Sequence, residues 1–176
     1  RLAGLPWQIL KTPHLTLRES TVSDVEDFYR IYQDPSITKY MERLFPDRDE
    51  ERSYMKDYIQ KIYGFYGFGL WSVIHTVTGT VIGRAGLSVR EGYEIPELGF
   101  VTEVAFQHQG YTYEICEAIL RYARDELEFP QVQAFCHPEN TASLHLLQKL
   151  GFTYAGEDLL QGIPHARYIV SLPKSC

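Results

Sequence analysis

The segment Gln107-His108-Gln109-Gly110-Tyr111-Thr112 joins a β-rich run to the strongest helical pattern in the chain. A helix start leaves its first backbone N–H groups unpaired and carries a partial positive charge. Together these attract phosphate. Gly110 lacks the Cβ that would keep a phosphate away from the backbone. Thr112 is small and adds a hydroxyl, and Gln107 and Gln109 add further donors. Backbone amides suffice, so no lysine is required. Taken alone, Gly110 reads as an ordinary turn before a helix. Two patterns give it context. Glu97-Leu98-Gly99-Phe100 leads into the loop, and Asn140-Thr141-Ala142-Ser143 leads into Lys149-Leu150-Gly151-Phe152 further on.

The elements that must hold these residues follow from periodicity. Residues 1–14 carry Pro6 and Pro13 without periodicity and read as an N-terminal arm or linker, which leaves 15–176 as a single domain. Leu15 to Leu17 starts a strand. Ser23 and Glu26 form a capping box before a helix whose apolar stripe is Val25, Phe28, Tyr29 and Tyr32. A second helix runs from about Asp49 with Met55, Tyr58, Ile59 and Ile62 on its stripe and Gly64 as its cap. Leu70–Ile74 and Thr80–Val89 flank Thr78-Gly79 as a hairpin. Glu97–Phe106 is a further strand. Ile115, Ala118, Ile119, Tyr122 and Ala123 mark a helix from about Tyr111 that Pro130 closes. Val132–Cys136 is a strand, Asn140 caps a helix that Gly151 stops, and Phe152–Leu172 holds two more strands. The order β-α-α-β-β-β-α-β-α-β-β predicts a mixed α/β (α+β) fold with a central, mostly antiparallel sheet flanked by helices.

Bulk properties narrow the chemistry. The 176 residues fit one domain, and the net charge of −6 argues against general nucleic-acid binding, which needs a basic face. It is compatible with a cationic acceptor such as an amine. Cys116, Cys136 and Cys176 are odd in number and widely spaced, with no C-x-x-C pair, so neither a zinc site nor a disulfide framework is indicated. Reduced thiols in a cytoplasmic protein are the simplest account. No signal peptide or bilayer-length apolar run is present in the sequence as it stands. The first residue is Arg1 rather than Met, which is compatible with a longer parent protein.

With the loop and the Asn-led helix in place, nearly the whole chain from Leu15 to about Leu172 resembles the GCN5-related N-acetyltransferase (GNAT) superfamily, most of all its RimJ/RimL-type ribosomal-protein branch. The loop matches that family's Gln/Arg-x-x-Gly-x-Gly/Ala pattern, with Thr112 in place of the usual Gly or Ala. The resemblance implies acetyl-CoA as cofactor. It implies that Val104, Ala105 and Phe106 pair with the pantetheine arm as an added strand. It implies that Gln109, Gly110, Tyr111, Thr112 and Tyr113 hold the pyrophosphate, that Asn140 contacts pantetheine, and that Ser143 lies near its sulfur.

The implied reaction is direct attack of a primary amine on a thioester. A lysine-type amine, with a reference pKa of about 10.4, needs more help from a base than a chain-terminal amine at about 7.7 to 8.0. Glu97 is the candidate base, acting through a water; Glu103, His75 and His165 are weaker ones, and His137 shapes the cleft. The Val104 N–H is a candidate oxyanion donor. Many relatives place a Tyr acid at the position occupied here by Leu147, which leaves Ser143 as the candidate acid. Cys136 and His137 adjoin on one strand and point to opposite faces, so they do not pair. No metal is implied. The rings of Tyr63-Gly64-Phe65-Tyr66-Gly67-Phe68-Gly69 are candidates for the acceptor mouth.

A rival reading is a non-catalytic acyl-CoA-binding regulatory domain. Leu147 and the missing start Met favour it; the loop with both Asn140 and Ser143 favours the enzyme. The acceptor is a protein N-terminus or a small-molecule amine, with no nucleic acid or membrane partner. An aromatic-rich surface is compatible with a homodimer.

Overall fold

Period-two apolar runs become strands and period-3.6 runs become helices over most of the chain. The computed structural model describes residues 6–174. Its elements are β1 (Gln8–Lys11), β2 (Leu15–Arg18), α1 (Val25–Tyr32), α2 (Pro35–Thr38), α3 (Arg48–Tyr58), α4 (Gly64–Tyr66), β3 (Leu70–His75), β4 (Thr80–Ser88), β5 (Glu97–Thr102), α5 (Tyr111–Asp125), β6 (Gln131–Cys136), α6 (Thr141–Lys149), β7 (Thr153–Leu160) and β8 (Ile163–Ser171). The eight strands form one sheet in the order β1-β2-β3-β4-β5-β6-β8-β7. Its neighbours are antiparallel apart from β5 and β6, which are parallel and joined through α5. This is the mixed, mostly antiparallel architecture that the sequence predicts.

Each face of the sheet buries its own cluster. On the α5 side, Leu15, Trp71, Ile82, Leu87 and Leu98 of the sheet meet Ile115, Ile119 and Ala123 of α5 and Leu147 of α6. On the α1 side, Val25, Phe28 and Ile31 pack with Met55, Val81 and Val101. Burying each such aliphatic side chain stabilises by roughly 1.5–3 kcal/mol. Arg84 of β4 is sealed under this second cluster, its guanidinium carbon 4.6 Å from the centre of the Phe28 ring.

Several expected boundaries move, each for a local reason. Residues 8–11, within the expected arm, form β1 on the β2 edge. α1 is entered through a 3-10 turn, Val22–Asp24, so capping falls two residues earlier than Ser23 and Glu26. Asp24 fixes that start: its carboxylate accepts from the Thr21 N–H, from Ser72 and from both terminal nitrogens of Arg18. Burial opposes ionisation there, but the Arg18 hydrogen bonds prevail and hold the acid below its ordinary range.

The second helix continues past Gly64 through one wide π turn, Ile59–Tyr63, and ends at Gly67, whose φ is 76°. The π turn swings Tyr63 inward, where its hydroxyl accepts from the Ser20 N–H and donates to the Leu70 carbonyl. Burial pushes that phenol up to about 12. The Tyr58 hydroxyl accepts from the Leu70 N–H at 2.8 Å. These two tyrosines clamp the chain before β3. Cys176 lies outside the described residues.

Candidate functional site

The gap between β5 and β6 organises the site. The two strands share one register pair, Glu97 with Gln133, while on its other edge β6 pairs with β8 from Gln131 to Cys136. Residues 98–102 therefore present a strand edge with no partner on the β6 side among the described residues. Open edges of this kind accept an extended ligand as an added strand.

β5 stops at Thr102, and Val104–Phe106 is a 3-10 turn, not the end of a strand. The N–H groups of Phe106 and Gln107 turn back to Glu103 and Val104 carbonyls at 2.8 and 3.1 Å. The expected strand through Val104, Ala105 and Phe106 is thus corrected to a 3-10 curl, and the open edge ends at Thr102. The physical reason is Glu103, whose carboxylate is held by Arg30 at 3.1 Å and anchors the chain where it curls.

After the curl, His108 (φ 62°) and Gly110 (φ 81°) both adopt left-handed conformations. The expected need for glycine is met at Gly110, and His108 is a second bend that no glycine announces. Gly110 is the N-cap of α5 and offers no side chain to its first turn. The helical ladder begins with Glu114 N–H bonding the Gly110 carbonyl at 3.0 Å. The amides of Tyr111, Thr112 and Tyr113 precede it and are left for an outside acceptor. A Cβ built on Gly110 meets nothing within 4 Å, so the approach is open.

Three side chains of the loop bond back onto its own base. Gln107 Nε2 bonds the Thr102 carbonyl at 2.9 Å, Gln109 Nε2 faces the Ala105 carbonyl at 3.4 Å, and Thr112 Oγ1 lies 2.7 Å from Thr102 Oγ1. They shape the loop while its backbone faces out. Lys149, at the end of α6, places its ammonium 4.2 Å from the Tyr113 ring centre. That positive charge beside the helix start escaped the sequence reading, because it comes from another element.

The opposite wall is built by the end of β6. Asn140 caps α6 by accepting the Ser143 N–H at 3.2 Å, and Ser143 is half-buried on the first turn. Leu147, one turn further, is 1% exposed and belongs to the core. The Cys136 thiol faces the carbonyls of His137 and Asn140, both at 3.4 Å, and burial pushes its pKa up. A thiol so placed is a packing group, not a nucleophile.

Polar side chains gather where β5 and β6 still pair. Arg90 holds both oxygens of Glu97, at 2.7 and 3.0 Å, and this contact, opposed by burial, raises the arginine's pKa. The same guanidinium lies 5.2 Å from the Phe135 ring centre. The Tyr93 hydroxyl donates to Asp158 at 2.6 Å, which raises the phenol's pKa, and its ring stands edge-on to Phe135. Ser88, Arg90, Tyr93, Glu97 and the β7–β8 tip from Leu159 to Gln161 line an open pocket of about 440 Å³. Gln161 donates to Glu42 at 2.5 Å, which ties the tip to the segment after α2. His137 stacks between Tyr40 and His165.

Other expected positions fall elsewhere. His75 contacts Phe106 and Tyr111 at the end of β3, on the outer flank of the loop. Of the aromatic run, Tyr63 and Phe68 are buried, and Phe65 is 80% exposed. None of these rings lines the cavity. The rings that do stand in the polar cluster, Tyr93 and Phe135, were missed because they occur singly in sequence. Among the described residues no group of three or more His, Cys, Asp and Glu side chains is placed to hold a metal ion.

Comparison with known proteins agrees with this geometry. The family model described as an acetyltransferase (GNAT) domain matches residues 14–153. The uncharacterized N-acetyltransferase p20 of Bacillus licheniformis is 29% identical over 153 residues, which is 85% of this chain and 84% of p20. A GNAT-family acetyltransferase structure from Bacillus anthracis superposes with a TM-score of 0.78 at 22% identity, covering 92% of this chain and 97% of that one. The structure of RimL, a ribosomal alpha-N-protein acetyltransferase, superposes with a TM-score of 0.80 at 15% identity, covering 97% of each chain. At those identities the two structures speak for the fold alone.

Proposed function

The chain belongs to the GNAT acetyltransferase family, and from that premise we propose that it transfers an acetyl group from acetyl-CoA to a primary amine and falls in the RimJ/RimL-type branch. The observation that carries this is the α5 start: three outward amides behind a left-handed Gly110, directly after an open strand edge. A pyrophosphate fits the amides, and an extended pantetheine fits the edge of residues 98–102. When bound, acetyl-CoA supplies an acyl carbon that a neutral amine can attack.

The chain's own groups do the rest. The Tyr111, Thr112 and Tyr113 amides fix the donor's position, with the loop shaped by Gln107, Gln109 and Thr112. Val104, Ala105 and Phe106 form the curl beside it. Asn140 fixes the start of α6, so that Ser143 stands on the β6 wall to give a proton to the departing sulfur. Glu97 takes the amine's proton through a water, its carboxylate oriented by the Arg90 fork. The acceptor is a protein N-terminus or a small amine, and it enters on the α1 face near the cavity beside Glu97.

One observation favours a second reading, a regulatory acyl-CoA-binding domain. Leu147 fills a core site where relatives carry a Tyr acid. The deciding experiment measures free-thiol release from acetyl-CoA against a panel of amines, with CoA binding by calorimetry on the same sample. Amine-dependent release establishes transfer. Binding without release from any amine establishes the regulatory reading, and absence of binding removes the loop assignment.

A further inference from the structure

Three described arginines, Arg43, Arg84 and Arg167, make no ion pair, whereas Arg18, Arg30, Arg48, Arg52, Arg90, Arg121 and Arg124 each meet a carboxylate. Arg43 is exposed, so water solvates it. Arg84 is 8% exposed and closed in by Phe28, out of reach of any ligand. Arg167 is neither: it is half-buried on β8, and its position is specific. Its Nε donates to Gln133 Oε1 at 2.7 Å, and its guanidinium carbon lies 5.1 Å from the Tyr93 ring centre.

Gln133 is the register partner of Glu97, and Tyr93 lines the cavity beside Glu97. Arg167 therefore adjoins the place where the amine is to lose its proton. Its partners orient it without neutralising it. Gln133 is uncharged and is itself pinned by donating to the Ile95 carbonyl at 3.1 Å. The Tyr93 ring is locked through its hydroxyl bond to Asp158. A partly desolvated guanidinium held in one orientation, with no carboxylate in direct contact, is arranged to meet an oxyanion from outside, and the planar fork matches a carboxylate. Glu97 with Arg90 stands on the other side of Gln133, so the cluster offers a carboxylate for an ammonium group and a guanidinium for a carboxylate. The pocket beside Glu97, about 440 Å³, has room for a molecule of amino-acid size, and Arg167 lies against the Tyr93 ring that forms part of its wall.

We infer that the acceptor is a small amine bearing a carboxylate close to its amino group, an amino-acid-type acceptor, and that Arg167 selects it by binding that carboxylate. This rests on the acetyltransferase reading above. The test compares kcat/KM for a free amino acid and its α-carboxamide, leucine with leucinamide and glutamate with its α-amide, in the wild-type protein and in Arg167→Gln. The ratio between proteins cancels the differing basicity of acid and amide. The expected result is that the acid-to-amide ratio falls roughly tenfold or more in Arg167→Gln and is largely restored in Arg167→Lys. A ratio unchanged by Arg167→Gln overturns the inference. A second readout is calorimetric binding of leucine to the CoA-saturated protein: binding by wild type that Arg167→Gln loses supports it, and no leucine binding by wild type overturns it, even where the variant does not fold. CoA binding with no acetylation of any amine sinks the transferase reading instead, and leucine binding still decides the role of Arg167.

Discussion

The two sides of the gap are built from different materials. In the proposed function, recognition on the α5 side is by backbone: three amides, a strand edge and two left-handed residues, with Gln107 and Thr112 bonded back to Thr102. On the α1 side, recognition is by side chains drawn from β4, β5, β6, β7, β8 and the loops between them, arranged as a charged and aromatic cluster. Backbone recognition tolerates change in most side chains and fails when the chain's path is altered or obstructed. Side-chain recognition fails one residue at a time. The donor side thus suits an invariant ligand, and the acceptor side is where selectivity can be set.

The sharpest way to break this contrast is at Gly110. Gly110→Trp costs about 1–2 kcal/mol for a left-handed non-glycine residue, which a domain of this size survives. The indole has open space to enter, and that space is the approach to the amides. CoA affinity is expected to fall more than about 100-fold, on the order of 2.7 kcal/mol, with the circular-dichroism spectrum retained. Calorimetry showing wild-type affinity would mean that phosphate is held elsewhere.

Glu97→Gln tests the other side. Loss of a general base lowers kcat by roughly 100-fold at neutral pH, while CoA affinity stays near wild type because the α5 amides are untouched. A matching loss of CoA affinity would show that the two sides are not separable. Ser143→Ala is the intermediate case: turnover falls about tenfold, more than CoA affinity does. Equal losses in both would reduce Ser143 to a binding residue.

Legibility in the sequence followed the same division. The starts of α5 and α6 were legible because Gly110, the flanking β and helical periodicities and the Asn140 cap are local signals, readable within a few residues. The mixed, mostly antiparallel sheet was legible through element order. What escaped was long-range: the 3-10 curl depends on an ion pair between Arg30 and Glu103, and the start of α1 depends on Asp24 meeting Arg18 and Ser72. Arg90, Tyr93, Phe135 and Arg167 form one cluster only after four strands have paired, and nothing in their spacing announces it. The aromatic run misled for a related reason. Gly64 was read as the cap that ends the helix, yet Gly64 is helical and the π turn takes Tyr63 into the core.

The smallest expected effect is the most specific to the contrast. Thr112 departs from the Gly or Ala usual in related loops, and a functional reading would have its hydroxyl bind phosphate. The structure spends that hydroxyl on Thr102, at 2.7 Å, across the base of the loop. If the amides alone hold the ligand, Thr112→Ala leaves CoA affinity within about threefold, less than 1 kcal/mol. The lost hydrogen bond then appears as stability, about 1 kcal/mol, because the Thr102 hydroxyl loses a half-buried partner. Thermal melting and calorimetry on the same variant separate the two quantities. A lower melting temperature with unchanged affinity keeps the donor side a backbone device. A tenfold loss of affinity at unchanged stability would put a side chain among its ligands and erase the difference between the two walls.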